Sequence, residues 1–125
     1  MKEKSINCGI AGSGFAAKFH YEALLRVFSV KVDIKGAFSP TREKLGQFTD
    51  PRNLKAYGNI DELIDAVGVI HVCTPPLTHE PIVIAALRKN KHVIVEKPFT
   101  GYFGDGSKDF NGDKFPREEG LQQAL

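Results

Sequence analysis

The run Ile6-Asn7-Cys8-Gly9-Ile10-Ala11-Gly12-Ser13-Gly14-Phe15-Ala16-Ala17 reads as a short apolar strand, a glycine turn and the first residues of a helix. Each small residue of the turn has a physical task. Gly12 permits the tight reversal, and Gly14 lets the backbone approach a pyrophosphate. Ala17 stands where such turns usually have a third glycine, and it is small enough for close helix–strand packing. The helix N-terminus then offers free N–H groups and the positive end of its dipole to an anion. Gly12, Ser13, Gly14, Phe15 and Ala16 are therefore candidate dinucleotide-binding residues. A glycine turn without a ligand is the plainer alternative, and the position between a strand and a helix argues against it.

Strands and helices alternate along the rest of the chain. Apolar residues at Ala16, Phe19, Ala23, Leu24 and Val27 predict a helix over 15–27 with one buried face. A strand follows over 32–38, then a short helix to position 48 with Thr41 as its N-cap. A weak third strand covers 54–57. Asn59 and Glu62 have capping-box spacing before a helix over 60–66. A strongly apolar strand over 67–73 leads to a helix over 78–89, closed by Asn90 in the left-handed conformation. The fifth strand covers 92–95. This alternation implies a parallel sheet with right-handed crossovers, a three-layer α/β Rossmann fold with a doubly wound sheet.

Open α/β sheets bind ligands at the C-terminal tips of their strands. The second tip reads Phe38-Ser39-Pro40-Thr41-Arg42 and has no acid for ribose hydroxyls; Asp33 lies at the other end of that strand. Ser39, Thr41 and Arg42 suit a 2′-phosphate, Arg42 through charge-assisted hydrogen bonds, so the pattern leans to NADP over NAD. Arg42 as an ordinary solvated residue is the alternative. At the fourth tip, Thr74 and Pro75 would flank the ribose and nicotinamide if the first and fourth strands are neighbours. His79 either touches the cofactor or caps the helix start. The fifth tip is Glu96-Lys97-Pro98, an ending that packing does not require. Lys97 suits a proton donor or electrostatic anchor for a substrate oxygen, with Glu96 paired to it and orienting it. Pro98 suits a cis bond that shapes the turn. An exposed salt-bridged pair is the plainer reading.

Composition narrows the classes. A chain of 125 residues makes one domain with one core. A net charge of +2 is too small to argue for nucleic acid or an acidic membrane. No apolar run approaches the roughly 20 residues of a membrane helix, and no signal-peptide pattern opens the chain, so a cytoplasmic protein is expected. Cys8 and Cys73 fall in strand-like runs, several residues out of register, too far apart to bridge; both read as reduced, buried thiols. No Cys/His cluster has zinc spacing, so no metal is expected. Asp109, Asn111 and Asp113 begin like a calcium loop, but Lys114 and Gly120 stand where a glycine and a glutamate belong.

Residues 100–116 hold four glycines, three aspartates and three phenylalanines without periodicity, which predicts a surface loop or insertion. Residues 117–125 look like the start of a helix that is cut rather than finished. Tyr102, Phe103, Phe110 and Phe115 either pack over the domain's own core or present a partner surface.

Taken together, the glycine turn, Thr74-Pro75 with His79, and Lys91-His92-Val93 leading into Glu96-Lys97-Pro98 resemble the Gfo/Idh/MocA oxidoreductase family over about residues 5–99. The resemblance implies an NAD(P)-binding domain over 1–99 of a two-domain, homo-oligomeric enzyme acting on a sugar-like or cyclitol-like substrate. It assigns Lys97 to the catalytic site, and Gly12, Gly14 and Ala17 to the dinucleotide. Thr74, Pro75, His79, Glu96 and Lys97 complete the expected cofactor-contacting set. The family passes almost directly from Glu-Lys-Pro into a helix, whereas 100–116 intervene here. Its second domain, with the catalytic histidine and most of the substrate pocket, has no counterpart in this sequence, so the chain alone is expected to be inactive. A standalone dinucleotide sensor or interaction module is the alternative function, and a degenerate domain that binds no nucleotide is a third.

Overall fold

The computed structural model describes residues 3–125. Strands β1 (Ser5–Ala11), β2 (Lys31–Phe38), β3 (Lys55–Ala56), β4 (Val69–Val72) and β5 (His92–Val95) form one sheet in the order β3-β2-β1-β4-β5. Every neighbouring pair is parallel. Helices α1 (Phe15–Leu24), α2 (Arg42–Thr49), α3 (Ile60–Ala66) and α4 (His79–Arg88) fill the four connections, and α5 (Arg117–Ala124) follows the tail. The strand order runs from β1 out to β3, then restarts at β4 on the other side of β1. This is the expected doubly wound Rossmann sheet, and its switch point lies between β1 and β4.

Successive residues of β1 point to opposite faces and feed two cores. Ile10 joins Ala17, Leu45 and Phe48 under α1 and α2. Ala11 joins Leu63, Ile64, Val72 and Ile82 under α3 and α4. Helix ends follow local chemistry. The Asn59 side chain accepts a hydrogen bond from the Glu62 N–H at 2.9 Å, capping α3. Thr41 occupies the N-cap of α2, although its side chain makes no capping bond. Asn90 takes the left-handed conformation, φ 55°, just beyond α4.

Helix α1 departs from the expectation in two ways. It ends at Leu24 rather than near Val27. Its last turn tightens, with the Arg26 and Val27 N–H groups donating three residues back to Ala23 and Leu24, and the Arg26 guanidinium donates to the Glu22 carbonyl. Its apolar residues also divide. Ala17 is fully buried against the sheet with Ala16, Tyr21 and Leu24 beside it, whereas Phe15 and Phe19 are 80% and 67% exposed. A helix buries only the arc that meets the sheet, and the alanines allow the closest approach. The expected burial of Phe19 is therefore corrected.

The tail aromatics meet each other. Tyr102, Phe110 and Phe115 form a triangle with ring centroids 5.0–5.5 Å apart, separate from both core clusters. Their expected packing over the domain core gives way to this local cluster. The Asn111 side chain accepts a hydrogen bond from the Asp113 N–H and caps a single 3-10 turn. Among the described residues, no helix is long and apolar enough to cross a membrane.

Candidate functional site

Four strand tips converge on one edge of the sheet, held by hydrogen bonds that continue past the ladders. The Gly12 N–H donates to Phe38 at 2.7 Å, the Cys73 N–H to Ala11 at 2.8 Å, and the Glu96 N–H to Val72 at 3.0 Å. Gly12 has φ +116°, and a Cβ there would stand 2.7 Å from the Cys73 carbonyl oxygen. Only glycine fits between the tips of β2 and β4 in that conformation. At Gly14 an added Cβ would meet nothing within 4 Å. Gly14 thus faces open space at the start of α1, an end that no side chain caps.

That space is the floor of a cleft of about 570 Å³. Gly12, Ser13 and Gly14 form one side, Ser39, Pro40 and Thr41 from the tip of β2 a second, and Thr74 and Pro75 from the tip of β4 a third. Ser13 donates to Ser39 at 3.0 Å, tying the glycine turn to the β2 tip. Lys18 and Lys44 also line the cleft, and sequence reasoning missed both. Arg42 is exposed and does not line it. Lys44, two residues further along α2, is the cation of that helix that lines the cleft with Ser39 and Thr41.

Thr74 links this cleft to a second hollow of about 410 Å³ lined by Phe15, Ala16, Phe19, Glu96 and Lys97. Its hydroxyl is buried and has no hydrogen-bond partner. A buried, unpaired hydroxyl costs free energy unless a ligand supplies the bond. The open Cβ direction at Gly14, the uncapped helix end and this hydroxyl all fit an extended ligand that carries phosphate at one end. A dinucleotide is such a ligand. Lys97 lies at the far end, exposed, and its peptide bond to Pro98 is cis, as expected.

Two expected contacts are corrected. His79 is buried, with Nδ1 3.0 Å from the Pro98 carbonyl and Nε2 2.9 Å from the Thr74 carbonyl. The ring ties the β4 and β5 tips together from inside and is out of a ligand's reach. Glu96 pairs with His20, Oε1 to Nε2 at 2.7 Å, and not with Lys97. His20 in turn places Nδ1 2.9 Å from Nδ1 of His71, a buried residue of β4. Burial, and then the neighbouring His20, hold His71 down to about 4, so it is neutral at physiological pH. The His20 hydrogen bond is the main cause that keeps the Glu96 carboxyl below its ordinary range. The sequence carried one signal for this group, a histidine in the middle of an otherwise apolar strand.

The cysteines are both free. The register places Cys8 opposite Val69, four residues before Cys73. Burial, and then the charge of Glu96, push the Cys73 thiol up to about 12, so it is no nucleophile at neutral pH.

Residues 6–108 match the Gfo/Idh/MocA family model, described as an oxidoreductase family with an NAD-binding Rossmann fold. The chain belongs to the Gfo/Idh/MocA oxidoreductase family. It is 33% identical over 90 residues to glucose-6-phosphate 3-dehydrogenase of Bacillus subtilis, covering 72% of this chain and 25% of that protein. It is 25% identical over 92 residues to UDP-N-acetylglucosamine 3-dehydrogenase of Acidithiobacillus ferrooxidans, covering 74% and 28%. Among solved structures, GenD2 from gentamicin A biosynthesis, in complex with NAD, superposes with a TM-score of 0.70 at 26% identity, covering 77% of this chain and 28% of that one. The chain thus spans about a quarter of the length of the curated relatives it matches. The family is described as having an NAD-binding Rossmann fold, and the two curated relatives are named as dehydrogenases of a sugar phosphate and of a nucleotide sugar.

Proposed function

We propose that the chain is the cofactor-binding part of an oxidoreductase that moves hydride between NADP and a CH–OH group of a sugar-like or cyclitol-like substrate. The carrying observation is that Thr74 borders both hollows, which places the one lined by Lys97 beside the phosphate-compatible cleft. The Phe15 and Ala16 N–H groups at the start of α1 would meet the pyrophosphate, with Gly14 leaving room for it. Ser39, Thr41 and Lys44 would hold the 2′-phosphate, and Thr74 would receive the ribose or amide that satisfies its hydroxyl. A bound nicotinamide accepts or supplies the hydride at the substrate carbon. Lys97 would hydrogen-bond the substrate oxygen, stabilise the charge that develops there when a carbonyl is reduced, and hand it a proton. The other wall of the substrate pocket belongs to sequence outside this chain on this reading, so the chain alone turns over no substrate.

Calorimetric titration with NADPH and NADH tests the proposal. NADPH is expected to bind more tightly. Lys44→Ala should weaken NADPH about tenfold, the worth of one charge-assisted hydrogen bond, and leave NADH unchanged. Arg42→Ala should alter neither. No binding of either nucleotide would remove the cofactor role, and a harmless Lys44→Ala would remove Lys44 from the selectivity.

A further inference from the structure

The His20–Glu96 pair changes what Lys97 has to work with. A glutamate next to a lysine at a strand tip would ordinarily neutralise it. Here Glu96 is turned to α1 and engaged by His20; among the described residues Lys97 makes no ion pair, although its charge is still a lesser cause, after His20, of the lowered Glu96 carboxyl. Proton placement gives the contact a direction. A carboxylate only accepts, so the N–H of His20 is on Nε2. When His20 is neutral its Nδ1 is a lone pair and accepts from the His71 Nδ1, 2.9 Å away; when His20 is an imidazolium it donates there instead, and Nε2 faces Glu96 with its hydrogen in both states. The rings meet edge-on, with centroids 5.2 Å apart and planes at 88°, which suits an in-plane N–H reaching a neighbouring nitrogen. The chain of bonds runs from buried His71 through His20 to Glu96. It joins a buried strand residue to a half-buried carboxylate and so fixes the orientation of Glu96.

We infer that His20, backed by His71, is a positioning residue that holds Glu96 away from Lys97 and leaves the lysine ammonium free at the mouth of the cleft. The inference rests on the reading of Lys97 as the substrate-facing group.

The test reads Lys97 directly. The 125-residue chain is treated with acetic anhydride at pH 8, and acetylation of each lysine is followed by peptide mass spectrometry. Lys89, paired with Asp61 and Asp65, serves as internal reference. His20→Leu should free Glu96 to pair with Lys97 and slow Lys97 acetylation about threefold, the size of an exposed ion pair. His20→Gln, which keeps a donor for the carboxylate, should keep the parent rate, and His20→Leu with Glu96→Gln should restore it. An unchanged rate in His20→Leu, or a slowing that persists in the double variant, overturns the inference. The parent protein supplies a measurement that needs no variant. Imidazole ¹⁵N spectra should show His20 protonated on Nε2, and a bare Nε2 overturns it too. Failure of the underlying reading looks different: NADPH would then give Lys97 no protection from acetylation, whatever His20 does.

Discussion

Gly12→Ala is expected to cost about 3 kcal/mol of stability and to abolish dinucleotide binding. Two causes add. An alanine at φ +116° is strained by roughly 1–3 kcal/mol. Its Cβ would also stand 2.7 Å from the Cys73 carbonyl oxygen, a backbone atom that cannot swing aside. Relief requires the β1 and β4 tips to part, and that breaks the Cys73–Ala11 bond and widens the cleft at the phosphate end. For a domain of this size the loss corresponds to a melting point lower by roughly 10–20 °C. Gly14→Ala is the control, since its Cβ meets nothing in the free protein. That variant should melt within a degree or two of the parent, yet bind NADPH at least tenfold more weakly, because the methyl occupies the space left for a phosphate. Equal melting points for the two variants would show that the close approach at Gly12 is not what holds the strand tips.

Acid should destabilise the protein through His71. Its ordinary value is 6.5, and the fold lowers it to about 4. Above pH 6.5 the ring is neutral both folded and unfolded, and it adds nothing to pH dependence. Between 6.5 and about 4 the unfolded chain takes up a proton that the folded protein refuses. Stability therefore falls with pH across that window and levels off below it. At 1.36 kcal/mol per unit, the loss attributable to this one residue is about 3 kcal/mol. Urea unfolding of the parent and of His71→Leu at intervals from pH 7.5 to 4 isolates the contribution, because the carboxylates titrate alike in both. The parent curve should fall more steeply below pH 6.5. Parallel curves would show that His71 is not held neutral by the fold.

Most of the architecture was legible because it depends on local chemistry. The alternation of apolar runs with helical spacing places all five strands and α1 to α4 within a few residues, and Asn59 and Asn90 mark helix ends through side-chain and backbone preferences that act over one turn. The glycine turn was legible for the same reason, since a positive φ and a close approach demand one residue type. Apart from the early end of α1, the misjudged features concern direction. Nothing within the helix pattern of α1 says which arc meets the sheet, so Phe19 read as core. Arg42 and Lys44 are equally plausible cations until α2 is set against the β2 tip.

From its residues alone, the chain determines a doubly wound sheet with a phosphate-ready turn at the switch point and a lysine at the fifth strand tip. Those features depend on backbone conformations that neighbouring residues impose. Only the tertiary structure decides which side chains share the cleft, that His79 serves the frame, and that Glu96 answers to His20 rather than to Lys97. His20, His71 and Glu96 are separated by 51 and 25 positions along the chain; the first two sit on α1 and β4, and Glu96 lies just past the end of β5. Their meeting at hydrogen-bond distance follows from strand order and helix rotation, and short-range spacing carries no record of either.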